Sequence, residues 1–250
     1  MRVHTWKADE YHKAMTEKDT VIVDVRNAYE SAIGSFNPPK DGAELIDPKM
    51  RNSIEFPKWL NDPATKEKLN NKKVLMYCTG GIRCERATAL LNQIEAVSPE
   101  LNLKGVYHMR GGIERYVKTF PKGGFWRGKN YLFDRRMEQV PGTKAENKVE
   151  SEIDSKCCLC RQKWTNYRGK FKCSQSLCGV PVIVCNSCDS RAQREPERLT
   201  CELCKEGYKA PETVPDLIGL KRKAEAVQEG RNGDSAALMR ASSSTWTNKR

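Results

Sequence analysis

Histidine is scarce in this chain: three occur, His4, His12 and His108, and none lies among the cysteines that crowd the second half. That excludes mixed histidine–cysteine metal sites there, and it leaves no two-histidine-one-carboxylate iron site to read. No Gly-x-Gly-x-x-Gly dinucleotide fingerprint is present either. No run approaches the roughly 18 apolar residues of a membrane span. The start, MRVHTWKADEYHKAM, has no apolar core of a secretory signal. We therefore expect a soluble protein of a reducing, cytoplasmic compartment with no membrane partner, in which clustered thiols hold metal more readily than they pair as disulfides.

Two things are abundant instead, positive charge and cysteine. The 250 residues carry a formal charge of +12, with an isoelectric point near 9.2. Such a surplus draws polyanions through phosphate contacts and counterion release, which makes nucleic acid a natural partner class; the plain alternative is a solvated, lysine-rich surface. Of the 11 cysteines, only Cys78 and Cys84 fall outside the stretch from Cys157 to Cys204. The split argues for two domains with two chemistries.

The first region reads as α/β. VIVDV (residues 21–25), VLMY (74–77) and VYHM (106–109) are short, β-branched-rich apolar runs, each followed by turn residues or a helical pattern. Buried parallel strands alternating with helices produce that order. After Arg83, Ala87, Leu90, Leu91 and Ile94 recur at helical spacing and give one apolar face. Further helices are expected around ADEYHKAM and around PATKEKL, where Pro63 suits a first turn. This domain spans 1–126. Residues 127–152 form an extension that passes into a charged linker after Val140, and 153–208 form the cysteine module. Residues 209–250 are a basic, serine-rich tail, mostly disordered, with a short helix near Leu217 to Glu229.

The sharpest local signal is VLMYCTGGIRCERATALL. A strand ends at Cys78, the tight loop Thr79, Gly80, Gly81 and Ile82 follows, and a helix starts at Arg83. Backbone N–H groups and a helix N-terminus then converge on one sulfur, a field that favours thiolate and equally a terminal persulfide. Arg83 adds a fixed positive charge and a planar fork for an incoming oxyanion. A lone strand-end cysteine is more often simply buried; the spacing to Arg83 is what raises the catalytic reading.

The six-residue Cys-x4-Arg loop resembles the active-site loop of rhodaneses. DVRNAYESAIG (24–34) resembles their Asp-x-Arg signature with a downstream Glu, and YHMRGGI (107–113) their late strand and Gly-Gly. Gly34-Ser35-Phe36 and NPPK depart from the usual pattern of the substrate loop. YCTGGIRCERATALL, DVRNAYESAIGSF, EFPKWL and YLFDRR, together with a C-terminal cysteine module, are similar to the rhodanese-like tRNA uridine hydroxylase family over residues 5 to 205. Bacterial members carry a small α/β domain ahead of the rhodanese domain, and this chain begins directly with the latter.

That resemblance implies that Cys78 is the essential nucleophile, with Arg83 beside it. Cys84 is either a resolving thiol for Cys78 or a small hydrophobe packed beneath the loop. Asp24 and Arg26 brace the loop as a structural ion pair, and Glu85 and Arg86 lie on the solvated side of the first turn. The implied reaction is oxygen-dependent 5-hydroxylation of the wobble uridine, with tRNA as partner and molecular oxygen as co-substrate. Two other readings share these residues: a sulfurtransferase whose Cys78 exchanges a persulfide with a sulfur-carrier protein, and a non-catalytic adaptor that docks partners through its zinc module.

In the cysteine module, Cys157, Cys160, Cys173, Cys178, Cys185, Cys188, Cys201 and Cys204 include three Cys-x2-Cys knuckles. Eight thiolates fill two closed, tetrahedral, structural zinc sites. The spacing permits sequential or cross-braced pairing. Cys158 is the spare, since Cys158-x-Cys160 makes a poorer chelate than Cys157-x2-Cys160. Arg161, Lys163, Trp164, Tyr167, Arg168, Lys170 and Phe171 interleave charge with rings. They suit either an exposed RNA-stacking face or the core of a small zinc module with solvated neighbours.

Overall fold

The computed structural model describes residues 4–134, 138–143, 145–167 and 169–208. The expected tail and its short helix lie outside the described residues, as does Arg168. In chain order the elements are β1 (His4–Trp6), α1 (Ala8–Ala14), β2 (Thr20–Asp24), α2 (Ala28–Ser31), β3 (Gly34–Phe36), β4 (Glu44–Ile46), α3 (Phe56–Asn61), α4 (Pro63–Leu69), β5 (Lys73–Tyr77), α5 (Ile82–Val97), β6 (Gly105–Met109), α6 (Gly112–Thr119) and β7 (Trp126–Gly128). There follow β8 (Asn130–Tyr131), β9 (Glu138–Gln139), α7 (Glu146–Ser151), α8 (Asp189–Arg194) and α9 (Glu202–Lys205).

Five strands form one parallel sheet in the order β1-β6-β5-β2-β4. Its three central strands are the apolar runs visible in the sequence. Side chains alternate across it as the pleat requires. Val21, Val23, Val74, Met76 and Val106 face one core with α3, α4 and α5, while Ile22, Leu75, Tyr77 and Met109 face the other with α1 and α6. A sheet covered on both faces has no polar side, and β2 is buried at every residue.

The edge strands β1 and β4 were not legible: HTW and ELI are three residues each and partly exposed, too short and too polar to stand out. Helix α5 carries Ala87, Leu91 and Ile94 buried, with Leu90 partly so. At its start, Gly81 adopts φ +95°, a left-handed conformation that lets the loop swing directly into the helix.

The departures at Gly34-Ser35-Phe36 have a structural use. They form β3, which pairs antiparallel with β7, and Phe36 is buried edge-on against Tyr77, Tyr116 and Trp126. Beyond β7 the chain runs on through the β8–β9 ribbon and α7, whose Val149 is fully buried. The cysteine module packs a third core from Phe171, Val182, Val184, Leu199 and its thiols. A fourth joins Ile33 and Tyr131 to Tyr167 and Ile183, so the module rests directly on the sheet domain.

Candidate active site and thiolate centres

Cys78 follows the last residue of β5 at the carboxyl edge of the parallel sheet, where the crossover loops of such sheets gather. Its sulfur lies beneath the loop: the residue is 1% exposed, and the Gly81 N–H donates to Sγ at 3.2 Å. The thiol is pulled down to about 6, first by the hydrogen bond from the Cys84 side chain, against burial, and then by the charge of Arg83 and the N–H groups of Cys84 and Gly81. Cys78 is therefore thiolate at neutral pH. Cys84 is fully buried, and its own thiol is pushed well up by burial and by its donation to Cys78.

Arg83 does not present a free fork. Its two terminal nitrogens donate to Glu30 Oε2 at 2.6 Å and Oε1 at 2.7 Å, a bidentate pair with a fully buried carboxylate. The Thr79 hydroxyl donates to the same Glu30 at 3.2 Å. Glu30 thus ties α2 to the Cys78 loop, a role visible in the sequence only as the glutamate of DVRNAYE. Asp24 and Arg26 sit one layer deeper. Arg26 donates to both carboxylate oxygens of Asp24 and, at 2.6 Å, to the Gly34 carbonyl, while Tyr77 donates to Asp24 at 2.6 Å. Both are sealed from solvent, with the guanidinium over the rings of Tyr77 and Trp126.

The Gly-Gly of YHMRGGI completes the cradle. Ile113 and Glu114, at the start of α6, donate their N–H groups to the Cys78 and Thr79 carbonyls at 3.0 and 3.1 Å. A Cβ at Gly112, whose φ is +57°, would stand 2.4 Å from the Cys78 carbonyl oxygen, so the contact admits glycine alone. Ile82 is 75% exposed at the lip of the loop, next to exposed Gly80.

The thiols of the second half converge in two groups. Cys157, Cys160, Cys185 and Cys188 form one; Cys173, Cys178, Cys201 and Cys204 form the other, each with its sulfurs within 4.8 Å of one another. The pairing is cross-braced: the first cysteine pair (Cys157, Cys160) joins the third (Cys185, Cys188), and the second (Cys173, Cys178) joins the fourth (Cys201, Cys204). A tetrahedral site with metal–sulfur bonds of about 2.3 Å has sulfurs about 3.8 Å apart. Cys160 and Cys185 are separated by 3.6 Å and Cys178 and Cys201 by 3.8 Å, so both tetrads fit an ion and their all-thiolate donors suit zinc. The two are built alike. Cys185 N–H donates to Cys157 Sγ and Cys201 N–H to Cys173 Sγ, at 3.4 and 3.3 Å and at the same offset of 28 residues.

Cys158 belongs to neither tetrad, and its thiol is raised to about 11 by burial. Arg51 of the sheet domain donates to Cys204 Sγ at 3.1 Å and stacks on Tyr208, which clamps the second tetrad to the first domain. Tyr167 and Phe171 are buried, which makes them core residues rather than an exposed stacking face.

Residues 7–119 match the family profile described as Rhodanese-like domain, and residues 127–207 match the one described as Rhodanase C-terminal. The chain thus contains a rhodanese-like domain followed by a Rhodanase C-terminal region. Among its curated relatives, "Rhodanese-like domain-containing protein 6" of Arabidopsis thaliana is 35% identical over 217 residues, which is 87% of this chain and 32% of the relative. Proteins named "tRNA uridine(34) hydroxylase" from Brucella ovis and Brucella suis are each 38% identical over 157 residues, 62% of this chain and 45% and 44% of theirs. The chain thus spans less than half the length of these relatives. In this rhodanese-like domain the structure brings Cys78, Thr79, Gly80, Gly81, Ile82, Arg83 and Cys84 into one loop and first helical turn. Asp24 and Arg26 stand behind it, and Glu30 joins the two layers.

Proposed function

We propose that this protein modifies tRNA by 5-hydroxylation of the wobble uridine, with Cys78 as nucleophile. The observation that carries the reading is the Cys78 sulfur itself, held near pKa 6 by Cys84, Arg83 and Gly81 at a sheet edge. Relatives named for uridine(34) hydroxylation, 38% identical over 62% of the chain, supply the substrate class. The charge of +12 suits a polyanion.

An anticodon loop presents unpaired bases, so a uridine can be splayed towards the loop at little stacking cost. The thiolate adds to uracil C6, and the electron pair of the C5=C6 bond moves to C5. Molecular oxygen then supplies one atom at C5, while its second atom leaves as water, with two electrons from a reductant outside the chain. Loss of the C5 proton and expulsion of the thiolate restore the double bond and release 5-hydroxyuridine. The chain's own share is the nucleophile and its positioning. Arg83, fixed by Glu30, keeps positive charge beside the sulfur, and the Gly81 N–H donates to it. Zinc in the two tetrads supplies folding free energy, not reactivity, because four thiolates leave no open ligand position.

The test is nucleoside analysis of tRNA from cells lacking the protein, complemented with wild type or Cys78→Ser. Return of 5-hydroxyuridine or its derivatives with wild type alone upholds the reading. Because the oxygen-to-sulfur exchange adds the same nominal mass, accurate mass separates it. A change in thiolated uridine would instead make Cys78 a persulfide carrier, the chemistry of a sulfurtransferase fed by a sulfur-carrier protein.

A further inference from the structure

Among the described residues, five large apolar side chains are well exposed, and two of them border the Cys78 loop: Ile82 at 75% and Phe133 at 65%. Neither belongs to any of the four cores. Phe133 is not loose, however. Its ring sits over the Arg83 guanidinium, 5.5 Å from carbon to centroid, and packs edge-on against Tyr131 at 5.2 Å. A ring held in place on one side and open to water on the other is a stacking platform without its partner.

The loop's other border is polar. Gly80, Gly111, Glu114, Arg115, Lys118 and Thr119 line an open depression of about 520 Å³. Arg115 and Lys118 take part in no ion pair among the described residues, and Glu114 is the single carboxylate on that rim. Unpaired cations beside a nucleophile attract an anion, and their spacing of three along α6 turns both to one face.

We infer that this rim seats one single RNA strand, with an unpaired base stacked on Phe133, a backbone phosphate over Arg115 and Lys118, and Ile82 packed against the nucleotide at Cys78. The inference rests on the tRNA reading above and adds how the strand is held. An aromatic face serves any base but only an unpaired one, whereas phosphate contacts serve any nucleotide; together they select a loop by its shape.

The experiment is a fluorescence anisotropy titration of a labelled anticodon stem–loop RNA with the full chain. Phe133→Ala should weaken binding about tenfold and Phe133→Trp should restore it. In Arg115→Gln/Lys118→Gln, affinity should fall and the slope of log affinity against log salt should flatten by about 0.7, the loss of one single-strand phosphate contact. All three side chains lie on the surface, and circular dichroism melts identical to wild type would keep the comparison clean. Wild-type binding that none of these variants changes would overturn the inference, leave the tRNA reading standing and hand the apolar patch to a protein partner. Failure of wild type to bind the stem–loop would overturn both.

Discussion

The hydroxyl of Tyr167, in the cysteine module, donates to the backbone carbonyl of Tyr29 at 2.7 Å, one residue before the glutamate that clamps Arg83. The same ring packs edge-on against Tyr29 and Tyr131, and the Tyr131 carbonyl accepts from Thr79 of the Cys78 loop at 3.4 Å. The module is therefore part of the support of the Cys78 loop. Tyr167→Phe removes one buried hydrogen bond and should cost about 1 kcal/mol in urea denaturation. It should also raise the midpoint of Cys78 alkylation above about 6, read peptide by peptide in mass spectrometry.

Metal content gives a second check. The purified protein should carry two equivalents of zinc, one per tetrad, by elemental analysis. Cys185→Ser should lose the ion of the Cys157 site and retain the other. Stripping both with a chelator should unfold the module and, through Tyr167, slow Cys78 alkylation near pH 7.

Cys84 is the first cause of the lowered Cys78 pKa. Cys84→Ala removes that donor, and the alkylation midpoint should climb from about 6 towards the ordinary thiol value of about 8.5. The sign for stability follows. The folded value lies below the unfolded one, so the thiolate contributes stability that is fully present above about pH 8.5 and is lost as pH falls through about 6. The stability difference between wild type and Cys78→Ala should shrink over that window. An unchanged difference would show that the thiolate is not held in the fold.

Glu30 is fully buried and accepts from Arg83, Thr79 and the Asn27 N–H. Glu30→Gln sets an amide donor against guanidinium donors and leaves Arg83 without its partner. Stability should fall by about 3 kcal/mol, with modification activity falling at least tenfold. Activity retained at the wild-type level would mean that the clamp is structural only.

Gly112→Ala forces a Cβ to within 2.4 Å of the Cys78 carbonyl at a φ of +57°. It should cost about 1–3 kcal/mol from backbone strain alone and displace the loop, so activity should fall with stability. Gly142→Ala, with nothing within 4 Å of its Cβ, is the neutral control in the same melts.

What the sequence determined by itself was whatever burial and turn chemistry write locally. Strands β2, β5 and β6 are covered on both faces, so they read as unbroken apolar runs. The turn after Cys78 needs glycine at a positive φ, and the eight thiols announce closed metal sites by spacing. The edge strands β1 and β4 left no such trace, because half-exposed three-residue strands take their identity from their neighbours. Only the tertiary structure decided the cross-braced pairing, since each cysteine pair meets its partner pair 28 residues away and spacing allows either partner. It likewise turned Tyr167 and Phe171 inward, gave the Arg83 fork to Glu30 and set Gly112 against the Cys78 carbonyl. Each of these is a contact between distant segments, and its energy depends on where the fold brings those segments, which no local pattern of residues encodes.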